Sequence, residues 1–493
     1  MSATRGGDVT DLALCSATTL VEKLRAGEVK SAELVDLYLE RIDRLNPAVN
    51  AVVTLNADAA RQAANEADQR RARGEVLGPL GGLPMTLKDT HETAGLRTTA
   101  GAPIWKDHVP TQDSVAVKRL RDAGAIVLGK TNVPLMAGDM QSYNDVFGQT
   151  NNPWNHERTT GGSSGGAAAA VAMGLTSMEM GSDIGGSIRH PAHWCGVFGH
   201  KPSYGLVPQR GHMPPAPGAL SPPDLNVIGP LARDPRDLSL MLDIIAGPDA
   251  AQAQAWSLHL PKARHQDLKD FRVAAWIDDT DCPVDSLVRE RLEATVATLR
   301  AQGVTVDDQA RPELSLASAA TLFFDLLIPI MSTGYPKAVV KGLEAMVAGA
   351  AVDDQSDLTT MARQVVLKHR DWLLRNERRE RQRAAWDKLF ASYDVLLCPV
   401  NATTAIAHDH SEPLFMRSIT INNTPTPYMT LMHWVGLTTL AYLPSTVVPI
   451  GRARDGMPVG MQVVAPYLED RTSLRFAELI APLVGGYEAP PGS

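Results

Sequence analysis

Between Thr18 and Arg44, apolar side chains return every three or four positions, at Leu20, Val21 and Leu24, then at Leu34, Leu37, Leu39 and Ile42. This period predicts two amphipathic helices divided at Gly27, with Ser31 capping the second and Asn46-Pro47 stopping it. Val52-Val53 reads as a short strand, and Ala57 to Arg73, rich in Ala, Gln and Arg, as a helix with one face in water. Short apolar runs at 86–88, 125–128, 178–180, 271–278, 304–306 and 393–398 then read as buried strands, with helical patterns at 114–122 and 287–299. Strands alternating with helices predict an α/β fold. Thr446 to Ile450 and Pro458 to Val464, on either side of Asp455-Gly456, read as a hairpin, and Thr472 to Leu483 as a closing amphipathic helix. Leu314 to Phe390 is helical in pattern, broken at Asp353-Asp354. Residues 311–390 are therefore read as a helical insertion over a core of 76–310 and 391–493, with 1–75 as an N-terminal helical layer.

A chain of 493 residues, 44% of them apolar, has material for a large core, and its length allows one big α/β domain or two or three ordinary ones. The net charge of −8, with no basic tail or stripe, argues against nucleic acid as a partner. Arg375 to Arg383 (RNERRERQR) reads as a solvated helix face. Cys15, Cys195, Cys282 and Cys398 lack metal-binding or disulfide spacing and read as small core residues in a reducing compartment, so no metal or cofactor is expected. The polar opening Met1 to Gly7 has no apolar leader, and no stretch approaches a membrane span. The expectation is a cytoplasmic protein without membrane contact.

The chemistry concentrates between Gly161 and Pro191. Gly161-Gly162-Ser163-Ser164-Gly165-Gly166 runs straight into the helix formers Ala167 to Met173, so a permissive backbone feeds a helix N-terminus. Alone, that run fits a linker or tight turn. It also holds G-x-S-x-G twice, centred on Ser163 and Ser164, as in a nucleophile elbow that would need a histidine. No Gly-Lys-Ser/Thr follows to make a phosphate loop. A second loop, Gly181 to Arg189, places Gly185-Gly186 just before Ser187, so that successive N–H groups can converge on one oxygen. A third glycine-framed segment, Gly81 to Asp89, carries Lys88 between apolar neighbours at the end of a buried strand.

With these three segments, Leu128-Gly129-Lys130-Thr131-Asn132, Asn152-Pro153-Trp154, Lys201-Pro202-Ser203-Tyr204-Gly205 and Gly460-Met461-Gln462, the chain resembles the amidase signature family, densely over about residues 80–235 and sparsely to the end. The resemblance implies a single amidase-signature domain, 1–493, built on a central mixed β-sheet covered by helices on both faces. It implies Ser187 as nucleophile, Ser163 as relay and Lys88 as base. It also implies an oxyanion hole from the N–H groups of Ile184, Gly185, Gly186 and Ser187, and a cis peptide between Gly186 and Ser187. Asp183 and Arg189 read as loop scaffolding, and Ser164 as a hydrogen-bonding support for Ser163. Leu135, Met136, Met140 and Tyr143 fall in the segment that lines the acyl channel in the family, and the proline-rich 211–223 reads as a rim or lid. His190, His193 and Trp194 depart from the small or apolar residues that usually follow the family's arginine, and read as structural. The activity expected is hydrolysis of a small amide, anilide or carbamate, with a homodimer allowed. The alternative is the glutaminase subunit of a tRNA-dependent amidotransferase.

Overall fold

The computed structural model describes residues 12–493, and the polar opening stretch, 1–11, lies outside them. Eleven strands form one sheet: β1 (Val52–Leu55), β2 (Pro84–Lys88), β3 (Ile126–Thr131), β4 (Glu179–Asp183), β5 (Phe198–Lys201), β6 (Val227–Ala232), β7 (Arg272–Ala275), β8 (Thr305–Asp307), β9 (Val395–Pro399), β10 (Ser445–Arg452) and β11 (Pro458–Val464). Their order is β1-β3-β2-β4-β6-β5-β10-β11-β9-β7-β8. The strands β3, β2 and β4 run parallel, as do β9, β7 and β8, while the pairings between β4 and β9 are antiparallel. The sheet is thus mixed, with helices packed on both faces. Strands β2, β3, β4 and β6 are buried along their whole length, as strands covered on both sides must be.

Local details correct the sequence reading. Ser31 is the first residue inside the helix Ser31–Val49 rather than its cap, and its N–H donates to Asp68, 37 residues away, at 2.8 Å. Asn46-Pro47 does not stop that helix, which runs on to Val49 and closes at Asn50 in the left-handed region, φ 49°. There the Asn46 side chain accepts the N–H groups of Ala51 and Val52, each at 2.8 Å, and turns the chain into β1.

The stretch expected to be helical resolves into Leu316–Met331, Lys337–Gly349, Asp357–Val365 and His369–Ser392, with 350–356 outside any helix. Among the described residues, Leu316–Gly334 is long and apolar enough to cross a membrane by length and composition, contrary to expectation. Here the composition serves packing: Leu322, Phe323, Leu326 and Leu327 are buried, and the helix contacts His433–Leu440, which the sequence pattern did not reveal. The charge run is not wholly solvated either. Arg379 is buried, paired with Asp224 at 2.6 Å and laid over the Tyr442 ring at 4.3 Å.

Candidate active site

Lys88 ends β2 in the middle of the sheet and is completely buried. Its Nζ lies 2.7 Å from Ser163 Oγ and 2.9 Å from Ser182 Oγ. Burial pulls the ammonium pKa down to about 7, against the opposing pull of Asp183 and Glu179. Glu179 is itself pushed up to about 8 by burial, despite the hydroxyls of Thr86 and Thr131 that donate to it, which weakens its hold on the Lys88 charge. Asp89, next in the chain to Lys88, points elsewhere along the pleat. Its carboxylate accepts from Thr99 and is paired electrostatically with Lys130.

The glycine-serine loop meets Lys88 from the other side. Its helix, Gly165–Ala172, is buried at every residue, and only glycine fits at several contacts: a Cβ on Gly162 would fall 2.5 Å from the Asp139 carbonyl oxygen. Among the described residues the non-proline cis peptide is Gly162–Ser163, and not Gly186–Ser187 as expected. Ser164 does not support Ser163 through its hydroxyl. Its Oγ donates to the Ser182 carbonyl at 3.3 Å, and its N–H donates to the carbonyl of Ser187 at 3.0 Å, tying the two serine loops together.

The second loop hangs on an ion pair that is fully buried. Arg189 Nη2 lies 2.9 Å from Asp183 Oδ1, and Arg189 also donates to the Val435 carbonyl and to Thr438, Thr439 and Gln462. Burial alone would raise the Asp183 pKa, but the guanidinium outweighs it and holds the carboxyl well below the usual range. Asp183 in turn accepts N–H groups of Gly186 at 2.8 Å and Ile188 at 3.0 Å. Of the four N–H groups expected to hold an oxyanion, that of Gly186 is therefore already occupied. Among the described residues no acceptor takes the N–H of Ile184, Gly185 or Ser187.

Ser163, Ser182 and Ser187 open onto one cavity of about 1130 Å³. The hydrogen-bond chain runs from Lys88 to Ser163 and does not extend to Ser187. Leu135, Met136 and Met140 line this cavity, with Leu135 53% exposed. Tyr143 does not line it, since its ring stacks on His410 at 3.6 Å and its hydroxyl accepts from Arg417 at 2.8 Å. The proline-rich stretch contributes His212, Pro214, Pro215, Pro222 and Pro223 to the rim, and Phe324, Leu327 and Met432 form walls the sequence reading missed. Ser182 was missed as well, although its place two residues into the second glycine loop was a visible signal.

A lysine–serine pair facing a second serine loop, at the heart of a mixed sheet, defines a serine hydrolase that uses lysine instead of histidine. A family model described as Amidase matches residues 33–474, and the chain belongs to that family, the amidase signature enzymes. It is 34% identical over 481 residues, 92% of this chain and 94% of the other, to a glutamyl-tRNA(Gln) amidotransferase subunit of Synechococcus sp. (strain CC9605). Other curated relatives at 30–33% identity carry the same name. Among solved structures it is similar to a chain from a vestigial protein complex that bears on the origin of an s-triazine catabolic enzyme, with a TM-score of 0.81 and 25% identity over 96% of this chain and all of that one. A bacterial aryl acylamidase of the same family gives a TM-score of 0.79 and 25% identity over 97% of this chain and 99% of that one.

These relatives correct one expectation. Weak net charge had argued against any nucleic-acid partner, yet full-length relatives are named as components of an enzyme for glutamyl-tRNA(Gln). Net charge reports only on a bulk electrostatic footprint, and one component can serve such an enzyme without a basic stripe of its own. By sequence, these relatives support the alternative reading better than the small-molecule one.

Proposed function

We propose that this chain hydrolyses amide-type C–N bonds through an acyl-enzyme on Ser187. The observation that supports it most is the buried Lys88 Nζ, 2.7 Å from Ser163 Oγ with its pKa lowered to about 7. A neutral lysine takes the Ser163 proton while Ser163 takes that of Ser187, whose oxygen attacks the carbonyl carbon. The oxygen of the carbonyl becomes an oxyanion against the N–H groups of Ile184, Gly185 and Ser187. As the tetrahedral species collapses, the proton returns from Lys88 through Ser163 to the departing nitrogen, and the amine leaves. Water then attacks the Ser187 ester by the same relay and frees the acid. A carbamate would yield a carbamic acid that loses carbon dioxide.

For the acyl group we favour an apolar anilide, amide or carbamate, because the cavity walls include Leu135, Met136, Phe324, Leu327 and Met432, and the charged residues lining it, Asp139, Asp357 and Glu412, are acidic, with no Arg or Lys among the described lining residues. A carboxylate-bearing substrate would want such a cation. The curated relatives favour a second reading, a glutaminase subunit that supplies ammonia within a tRNA-dependent amidotransferase. One panel separates the two: an anilide, an alkyl amide, an aryl carbamate and glutamine, each assayed with wild type and Ser187→Ala. Turnover of the first three that Ser187→Ala loses is the expected result. Preferential release of ammonia from glutamine would transfer the assignment to the second reading, and turnover that survives in Ser187→Ala would overturn the acyl-enzyme.

A further inference from the structure

His190 sits in the short helix Arg189–Cys195 directly behind the oxyanion loop and is completely buried. Its N–H donates to the Gly186 carbonyl at 2.7 Å. Its ring has a tautomer that the neighbours dictate. Asn401 Oδ1 accepts the Thr403 N–H at 3.1 Å, which leaves Asn401 Nδ2, 3.0 Å from His190 Nδ1, as the donor of that pair. Nδ1 therefore accepts, and the proton of a neutral imidazole stands on Nε2. Burial keeps the ring neutral.

Nε2 is buried and closes no hydrogen bond among the described residues. It lies against Gly186, where a Cβ would come within 2.3 Å of it, and the backbone of Gly185 acts on the ring by hydrogen bonding, favouring its protonated form against the effect of burial. The other end of that same Gly185–Gly186 peptide, the Gly186 N–H, is held by Asp183 at 2.8 Å. This peptide separates two of the free N–H groups, those of Gly185 and Ser187. An unmade hydrogen bond from a buried donor is costly, so a small tightening of the loop that completes it is favoured.

The geometry points to His190 as a positioning residue of the oxyanion hole: with Asp183 it clamps the Gly185–Gly186 peptide from both ends, its Nε2–H bond to Gly185 closing as negative charge builds on the substrate oxygen. This rests on the Ser187 acyl-enzyme reading. It concerns a residue that the sequence reading took as structural.

A fluorophosphonate probe tests both and keeps them apart. Wild type labelled at Ser187 supports the nucleophile, and absence of label there removes that reading and this inference with it. Given labelling, His190→Phe, which keeps a flat ring without a donor, should lower the maximal labelling rate about 10- to 100-fold, less than losing a direct oxyanion donor. The probe concentration for half-maximal rate should stay within about 2-fold, since an effect confined to the charged state leaves ground-state binding alone. His190→Gln, whose Nε2 amide replaces the donor, should recover the rate to within about 5-fold. Asn401→Ala, which frees Nδ1 to take the proton, should slow labelling about 3- to 10-fold and serves if His190→Phe does not fold. Wild-type rates in His190→Phe or Asn401→Ala, or equal losses in Phe and Gln variants that follow their melting temperatures, would overturn the assignment.

Discussion

The floor of the cavity and the helical stretch beside it are built on opposite rules. On the floor, Gly165–Ala172 and β4 are buried at every residue, and small side chains let main chain meet main chain. In the helical stretch beside it, Lys337–Gly349, which does not line the cavity, has no buried residue at all, and Val352 is 95% exposed. A buried arginine ties down each region. Arg189 is enclosed with Asp183 and binds the nucleophile loop, whereas Arg379 reaches from a solvated helix to Asp224 beside the rim. The difference teaches where the requirements lie. Proton transfer over 2.7 Å tolerates no slack, so its frame is closed, and the Asp183–Arg189 pair at its centre is fully hydrogen-bonded. Substrate choice asks only for a shaped apolar wall, which long flexible side chains provide and which can change without touching the chemistry.

The comparison breaks first if the base can be lost. Lys88→Met should reduce turnover about 10³-fold or more, measured with the most reactive substrate of the panel. In wild type, kcat/KM should climb about tenfold between pH 6 and 8 and then level, because the neutral amine is the active form and its pKa is about 7. The linked effect on stability has the same sign: the native state holds fewer protons on Lys88 than the unfolded chain does, so this contribution grows as pH rises from about 7 towards about 10.4.

Removing one half of the enclosed pair comes next. Arg189→Met should lower unfolding stability by about 3–5 kcal/mol, read by urea denaturation, because Asp183 would be left charged and buried. The matching change in the helical stretch, Arg379→Ala, should cost about 2 kcal/mol, since Asp224 keeps some solvent and the Tyr442 hydroxyl as a partner. Equal losses in the two variants would erase the contrast. Smallest of all, Leu135→Ala should alter KM for an anilide by less than about threefold and leave kcat unchanged, because this side chain is half in water.

Local pattern carried much of this into view. The strand ending at Lys88, the two serine loops and the closing hairpin all follow from periodicity and glycine placement within a few residues. What escaped was set by partners far along the chain. Asp224 lies 155 residues from Arg379, so a charge run that looks solvated hides one buried member. Ser31 gives up its capping place to Asp68 for the same reason. Within the second serine loop the family resemblance implies four N–H groups, but only the folded loop shows that Asp183 has taken one of them. Tyr143 looked like a channel residue by position, and Arg417, 274 residues on, turns it away.

The central claim is that Ser187 carries the acyl group. Intact-mass analysis after brief exposure to an activated aryl carbamate, followed by peptide mapping, tests it most directly. The account predicts one carbamoyl adduct on the peptide that contains Ser187, present in wild type and missing from Ser187→Ala. An adduct on Ser163 or Ser164, or one that persists in Ser187→Ala, would contradict it.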